Sequence, residues 1–538
     1  MQRFENCILL TRVGGFYELY FEQAEEYGPL LNLKVALKKT NAGPVPMAGF
    51  PFFQLERFLK TLVLDFNCYV AVAEEFPNDI GDKVKSGGLM HDRRVTRVIT
   101  PGTLIDENFI DPYANNYVLA IHIDHDALDA LDAQHSSTDA PLGQLPVSAR
   151  YEDPDLFSTP IGLAWLDVST GQFYTQATTV TSLSSILSRV GPREIVIDEV
   201  LESRRDHDLF SVLAEDKHFI TFAPRGDFLP VSEWSPLLES EIPAQTITDF
   251  TLNEAQAGSL LLQYVKDRLQ GLSMKLQPPV RYDNLAALTL DKNTMRALEI
   301  KQTIKDGTFR GSLLHAVRRT VTKGGARLLN SWLSGPSMCL DIIQARQDLV
   351  EYFIRNEDRC DEIILLLRRS HDSQRLVQKF AFGRGDADDL IGLANTIGAV
   401  QGILNILTNT TEVGQPDTII EPDGTKRKNT ISNVGSSIRP ASCFVALLSR
   451  IKLEEPMKLA ERIRMSIDEE GLIQQHQNQD REASQLISLA EDVVAAEGTR
   501  GDAASLPKGP KKKKPASIRD FYADDNMAFV MKPEAREV

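Results

Sequence analysis

The sequence predicts a multidomain chain of two α/β units followed by an all-α region of long helices. Three observations carry this. A chain of 538 residues is too long for one hydrophobic core and asks for three or four domains. Up to about residue 275, short apolar runs of strand character alternate with segments of helical period. From Leu285 onward the apolar residues recur at helical spacing over long stretches.

Taken in order, "NCILLTRV" is a short apolar run suited to a buried strand. From Phe16 the apolar positions Leu19, Tyr20, Ala24, Tyr27, Leu30 and Leu31 recur at three-to-four spacing, which predicts an amphipathic helix ending near Pro29. Gly14 and Gly15 then mark a strand-to-helix turn, with Phe16 and Glu18 in the first helical turn. "FFQLERFLKTLVLDF" reads as helix, "CYVAVAEEF" and "RRVTRVITPGTL" as strands, closing a unit over 1–112. A second unit, 113–275, opens with the strand "NYVLAIHID" and carries an Asp/Ser/Pro-rich insertion at about 124–157, expected on the surface. It continues with a hairpin turning at Ser169, Thr170 and Gly171, the helix "SLSSILSRV" and the strand "REIVIDEV".

The helical region, 276–470, is typified by "DDLIGLANTIGAVQGILNIL", whose stripe includes Leu390, Leu393, Ala394, Ile397, Val400, Leu404 and Leu407. The stretch "TNTTEVGQPDTIIEPDGTKRKNT" reads as a loop. Helices return to about Glu497, and the remainder of 471–538 ends strand-like in "IRDFYADDNMAFVMKPEAREV".

Composition narrows the function classes. The net charge of −16 argues against a protein that coats nucleic acid non-specifically, because such binding neutralises phosphates. Basic residues gather in two places: Arg93, Arg94 and Arg97 in "HDRRVTRVIT", and Lys511, Lys512, Lys513 and Lys514 in "LPKGPKKKKPASIR". By themselves both read first as a solvated face or a linker, the lysine run in its Pro/Gly setting most strongly. Cys7, Cys68, Cys339, Cys360 and Cys443 have neither metal spacing nor a disulfide framework and favour a reducing compartment. His122, Asp124 and His125 lack further ligands at fixed spacing, so no metal is expected there. No uninterrupted apolar run approaches the ~20 residues that span a bilayer, and no membrane partner is expected. "MQRFENCILL" has no signal or presequence pattern.

Several segments, in order, resemble one family, the MutS DNA mismatch-repair proteins. "RVGGFYELYFEQA" is similar to the family's mismatch-reading motif, with Phe16 and Glu18 matching its Phe-x-Glu. "GPVPMAGFPFFQLERFLKTLV" and "RRVTRVITPGTLIDE" are similar to the rest of that first domain. "LDVSTGQF" and "PREIVI" resemble the connector. "LDKNTMRALEI", "GSLLHAVRRTVTKGGARLLNSWLSGP" and "IIQARQDLVEYF" resemble the core and lever. Among branches the likeness is to the fungal mitochondrial one, which implies a mitochondrial location, with the nucleus as the alternative. The units above then correspond to a mismatch-recognition domain, a connector, a core/lever domain and a partial clamp.

The resemblance implies a protein that binds double-stranded DNA with mismatches or small loops. Phe16 would be a minor-groove wedge, and Glu18 would hydrogen bond to the displaced base. Gly14 and Gly15 would admit the backbone to the groove, one or two of Arg93, Arg94 and Arg97 would hold phosphates, and Lys511 to Lys514 would touch the backbone from a clamp tip. Asp291, Arg296, Gly325, Arg327 and Trp332 read as helix caps, close packing and core. The family commonly has Asp or Lys where this chain has Gly15. No G-x-x-x-x-G-K-[ST] occurs in the sequence. ATP, magnesium and the family dimer are therefore expected only with the family's C-terminal ATPase domain, the chain is expected to be a fragment and not itself an enzyme, and no cofactor is expected in it. The rival reading is a helical interaction scaffold that no longer reads DNA.

Overall fold

The computed structural model describes residues 6–40, 43–77, 91–105, 110–124, 159–205, 208–215, 218–271, 274–283, 287–412 and 447–478, with Phe4, Phe444 and Arg481. Two six-stranded sheets come first, and a helical region follows.

The first sheet holds β1 (Cys7–Val13), β2 (Phe16–Tyr20), β3 (Ala36–Thr40), β4 (Gly43–Pro51), β5 (Tyr69–Pro77) and β6 (His91–Ile99), in the order β3-β4-β2-β1-β5-β6. All neighbours are antiparallel except β1 and β5. This corrects the expected helix from Phe16: Phe16–Tyr20 is a strand, and the helix is Glu22–Leu30. Phe16, Leu19 and Tyr20 satisfy a helical period, but "FYELY" also satisfies period two. Ladders to β1 and β4 on either side supply the backbone partners that decide it. Phe21, at φ 57°, breaks the strand and starts the helix. Tyr17 and Leu19 point into the core with Leu10, Phe50, Phe58, Leu62 and Val72, beneath the helices 22–30 and 55–60.

The second sheet holds β7 (Tyr117–Ile123), β8 (Pro160–Asp167), β9 (Gln172–Thr179), β10 (Glu194–Asp198), β11 (Ile220–Ala223) and β12 (Val280–Arg281), in the order β11-β10-β7-β8-β9-β12. Both faces are covered. Ala164, Leu166 and Phe173 pack with Trp234 and with Leu260, Leu261 and Val265 of the helix Leu252–Leu269. Leu119, Leu163 and Ile195 pack with Leu183, Leu187 and Leu213 of the helices Val180–Val190 and Asp208–Glu215. The β8–β9 hairpin turns through Ser169, Thr170 and Gly171 as its sequence indicates, and Gly171 takes φ 73°. The sheet extends past residue 275, since β12 pairs with β9.

The helical region includes Lys323–Ser334, Leu340–Arg355, Glu357–Arg369, Ser373–Ala381, Ala387–Glu412 and Glu454–Ser466. Helix 387–412 runs into the stretch read as a loop, as far as Glu412. By length and composition its span Ala387–Thr408 is long and apolar enough to cross a membrane, a test that a core helix also passes. Asn395, Thr396 and Gln401 break the run without removing its apolar character. In the fold, Ala394 and Ile397 of this helix bury against Ala460 and Ile463.

Asp291 caps Lys292–Ala297 through the Thr294 N–H at 3.0 Å. Arg327 is a buried ion, not simple packing: it pairs in bidentate fashion with Asp372 at 2.6 and 2.8 Å and donates to Pro112 O at 3.1 Å. Trp332 is 38% exposed, with the Arg346 guanidinium 3.6 Å from its ring centroid, so it is not core. The expected helix beyond Arg481, the strand-like end and Lys511 to Lys514 lie outside the described residues, as do His125 and most of the acidic insertion.

Candidate nucleic-acid interface

The β1–β2 hairpin tip is Gly14 and Gly15, and Gly14 sits at φ +58°, where a side chain would strain the backbone. The tip is pinned on both sides. The Gly14 N–H donates to Glu75 Oε2 at 2.8 Å, and Arg93 pairs with Glu75 Oε1 at 2.7 Å while donating to Arg12 O at 3.0 Å. On the other side the Phe52 N–H donates to Gly15 O at 3.0 Å. Phe16 follows directly, opposite Val13 and Pro51, and is 50% exposed.

Strand alternation puts Phe16, Glu18 and Tyr20 on one face and Tyr17 and Leu19 on the other. Tyr17 is 3% exposed and its hydroxyl donates to Glu74 at 2.6 Å. Burial first, then the Glu74 charge, pushes the Tyr17 phenol well up. Glu18 is buried and doubly partnered: Lys38 Nζ donates to its Oε2 at 2.7 Å, the Tyr20 hydroxyl donates to the same oxygen, and Lys38 also donates to Tyr20 at 2.9 Å. Gly49 stands opposite Glu18, and a Cβ there would come within 3.3 Å of Glu18 Cγ. Burial would lower the Lys38 pKa, but its bonds to Glu18 and Tyr20 outweigh that and raise it above the ordinary lysine value. Burial and the bond to Glu18 raise the Tyr20 phenol.

The three arginines separate. Arg93 is committed to Glu75 and the hairpin tip. Arg94 points to the opposite face, pairs with Asp92 at 2.6 Å and is 72% exposed. Arg97 stands opposite Val72 on the face of Tyr17. The structure thus brings Gly14, Gly15, Phe16, Glu18 and Arg93 together and leaves Arg94 and Arg97 on the other face. Tyr20, Lys38 and Glu75 complete the group and escaped sequence reading. Period two in "FYELY" signals Tyr20, but Lys38 and Glu75 arrive from strands far along the chain and leave no local mark.

A pinned hairpin with one outward ring, beside a carboxylate held among donors, defines a surface able to stack on a flat ligand and hydrogen bond to its edge. Three family models match the chain in succession: MutS domain I over residues 1–108, MutS domain II over 149–277 and MutS domain III over 293–517. The chain belongs to the MutS family. Similar proteins, each named DNA mismatch repair protein MutS, include one from Anaplasma phagocytophilum (strain HZ), 28% identical over 76% of this chain and 45% of its own length. One from Nostoc punctiforme is 28% identical over 76% of this chain and 43% of its own. Another, from Microcystis aeruginosa, is 30% identical over 74% and 42%. The chain spans less than half the length of these curated relatives.

Proposed function

We propose that this chain forms the mismatch-sensing part of a DNA mismatch-repair protein. Phe16 wedges into the minor groove at a weakened base step, and Glu18 hydrogen bonds to the displaced base. A mismatched step costs less to unstack than a paired one, so a protein that inserts a ring finds mismatches by testing deformability. One observation carries the reading: Phe16 is half exposed at a tip pinned from both sides, while Tyr17 and Leu19 beside it are buried. Gly14 and Gly15 let the backbone approach, since neither would bring a Cβ within 4 Å of another group. Glu18 reaches a base by exchanging its bond from Lys38 or Tyr20.

One or two of Arg93, Arg94 and Arg97 hold phosphates, Arg93 being the one beside the hairpin tip, and Lys511 to Lys514 contact the backbone without reading sequence. The partner is double-stranded DNA with mismatches or small loops. ATP, magnesium and dimerisation belong to the family's ATPase domain, and this chain itself turns over no ATP. The branch is the fungal mitochondrial one and the location mitochondrial, with the nucleus as the alternative. The net charge of −16 favours one competing reading, an interaction scaffold that no longer reads DNA.

The experiment is Phe16→Ala, measured two ways. Base–aromatic stacking is worth about 1–3 kcal/mol, so affinity for a G·T-mismatched duplex falls roughly five- to 150-fold. Matched duplex is spared and the melting transition is unchanged. An early-melting variant that keeps its mismatch preference returns Phe16 to a structural role. Equal affinity of the unaltered chain for both duplexes establishes the scaffold.

A further inference from the structure

Remote from the hairpin, a cavity of about 580 Å³ opens where the second sheet meets the helical region, within the size range of small-molecule sites. Four cations line it: Arg189, Arg193, Lys301 and Arg318. Asp111 is the one carboxylate in the lining. In a chain with net charge −16, cations usually find acids. Here, among the described residues, they do not.

Arg189 donates to Gln176 Oε1 at 2.6 Å and stacks 3.7 Å from the Tyr282 ring centroid. Arg318 sits 4.6 Å from the Tyr113 ring and 4.7 Å from Phe309. Lys301 Nζ donates to Ser188 O at 3.0 Å and Arg189 O at 2.9 Å, leaving its third N–H. Burial, with Arg189 nearby, pushes Lys301 down to about 8. Burial is the larger cause and the Arg189 charge the smaller.

The lining therefore asks for one ligand carrying an anion for the guanidinium and ammonium groups and a flat ring for the half-exposed Tyr113. We propose that this cavity binds a nucleoside phosphate: Arg193, Arg318 and Lys301 take the phosphate, and the base stacks on Tyr113. Planar guanidinium groups suit phosphate oxygens in bidentate fashion. The site is separate from the hairpin and stands whether or not Phe16 reads DNA.

Equilibrium dialysis of the 538-residue chain against AMP, GMP and inorganic phosphate tests it. One nucleotide binds saturably, at least about tenfold tighter than inorganic phosphate, the equivalent of 1.4 kcal/mol or more. Arg193→Ala lowers that affinity about tenfold or more without moving the melting transition, Arg318→Ala does the same, and Phe16→Ala leaves it unchanged. Three results overturn the proposal: no saturable binding of either nucleotide at millimolar concentration, a nucleotide no tighter than phosphate, or full affinity retained in both arginine variants.

Discussion

The two sheets have the same number of strands but opposite exposure. β7 and β8 of the second sheet are buried along nearly their whole length, because helices cover both faces. The first sheet has its main core on one face. On the other face of β2, Phe16 points to solvent and Glu18 is held by polar partners. A doubly covered strand has few side chains to spare for a ligand, and β7 and β8 reach the cavity only through Tyr117 and Trp165. A singly covered one carries a core and a display surface at once, with the core residues holding the displayed ones in place.

The contrast predicts a descending series of effects. Leu163, fully buried in the second sheet, loses packing on Leu163→Ala worth about 2–5 kcal/mol, read as an earlier melting transition. Leu19, on the covered face of β2, falls in the same about 2–5 kcal/mol range for Leu19→Ala. DNA affinity in that variant falls only where the hairpin has melted. If either truncation leaves melting unchanged, the distinction between covered and displayed positions fails.

Lys38→Met on the open face has a smaller effect. The lysine side chain is 36% exposed, and an ion pair of that exposure is worth at most about 1 kcal/mol. The Lys38 pKa is raised, so its contribution is complete below the ordinary lysine value of 10.5 and is lost only as pH rises through the higher folded value. The variant therefore melts slightly earlier at neutral pH. The freed Glu18 charge weakens matched and mismatched duplexes together, by less than about fivefold, the equivalent of about 1 kcal/mol. A change confined to mismatched duplex would show instead that Lys38 acts through the contact of Glu18 with the base. Smallest at any single position, and sharpest in salt dependence, is replacement of Lys511 to Lys514 by Ala. Phosphate contacts release counterions, so the change flattens the slope of affinity against salt while leaving mismatch preference intact. An unchanged slope marks the run as a solvated linker.

Much of this was legible. The β8–β9 hairpin announces itself in Ser169-Thr170-Gly171, and the helix 180–190 shows in the spacing of Leu183, Ile186 and Leu187. Phe16 and Glu18 stand out through a resemblance carried by contiguous residues. Where reading failed, the local signal was ambiguous. Five residues, "FYELY", fit both a period of two and a period near 3.6, and only the flanking strands distinguish them. Trp332 looks like core by residue type, but its exposure depends on what packs around the helix 323–334.

By itself, then, the sequence determined the order of two α/β units before a helical region, because hydrophobic periodicity and turn chemistry act over a few residues. It also set the glycines whose missing Cβ atoms permit the tip. Tertiary structure alone decided which face of β2 is displayed, and it set Lys38 against Glu18 and Glu75 under Gly14. These contacts join residues 20 and 61 positions apart. No local preference encodes such a pairing, which exists only once β3 and β5 have taken their places in the sheet.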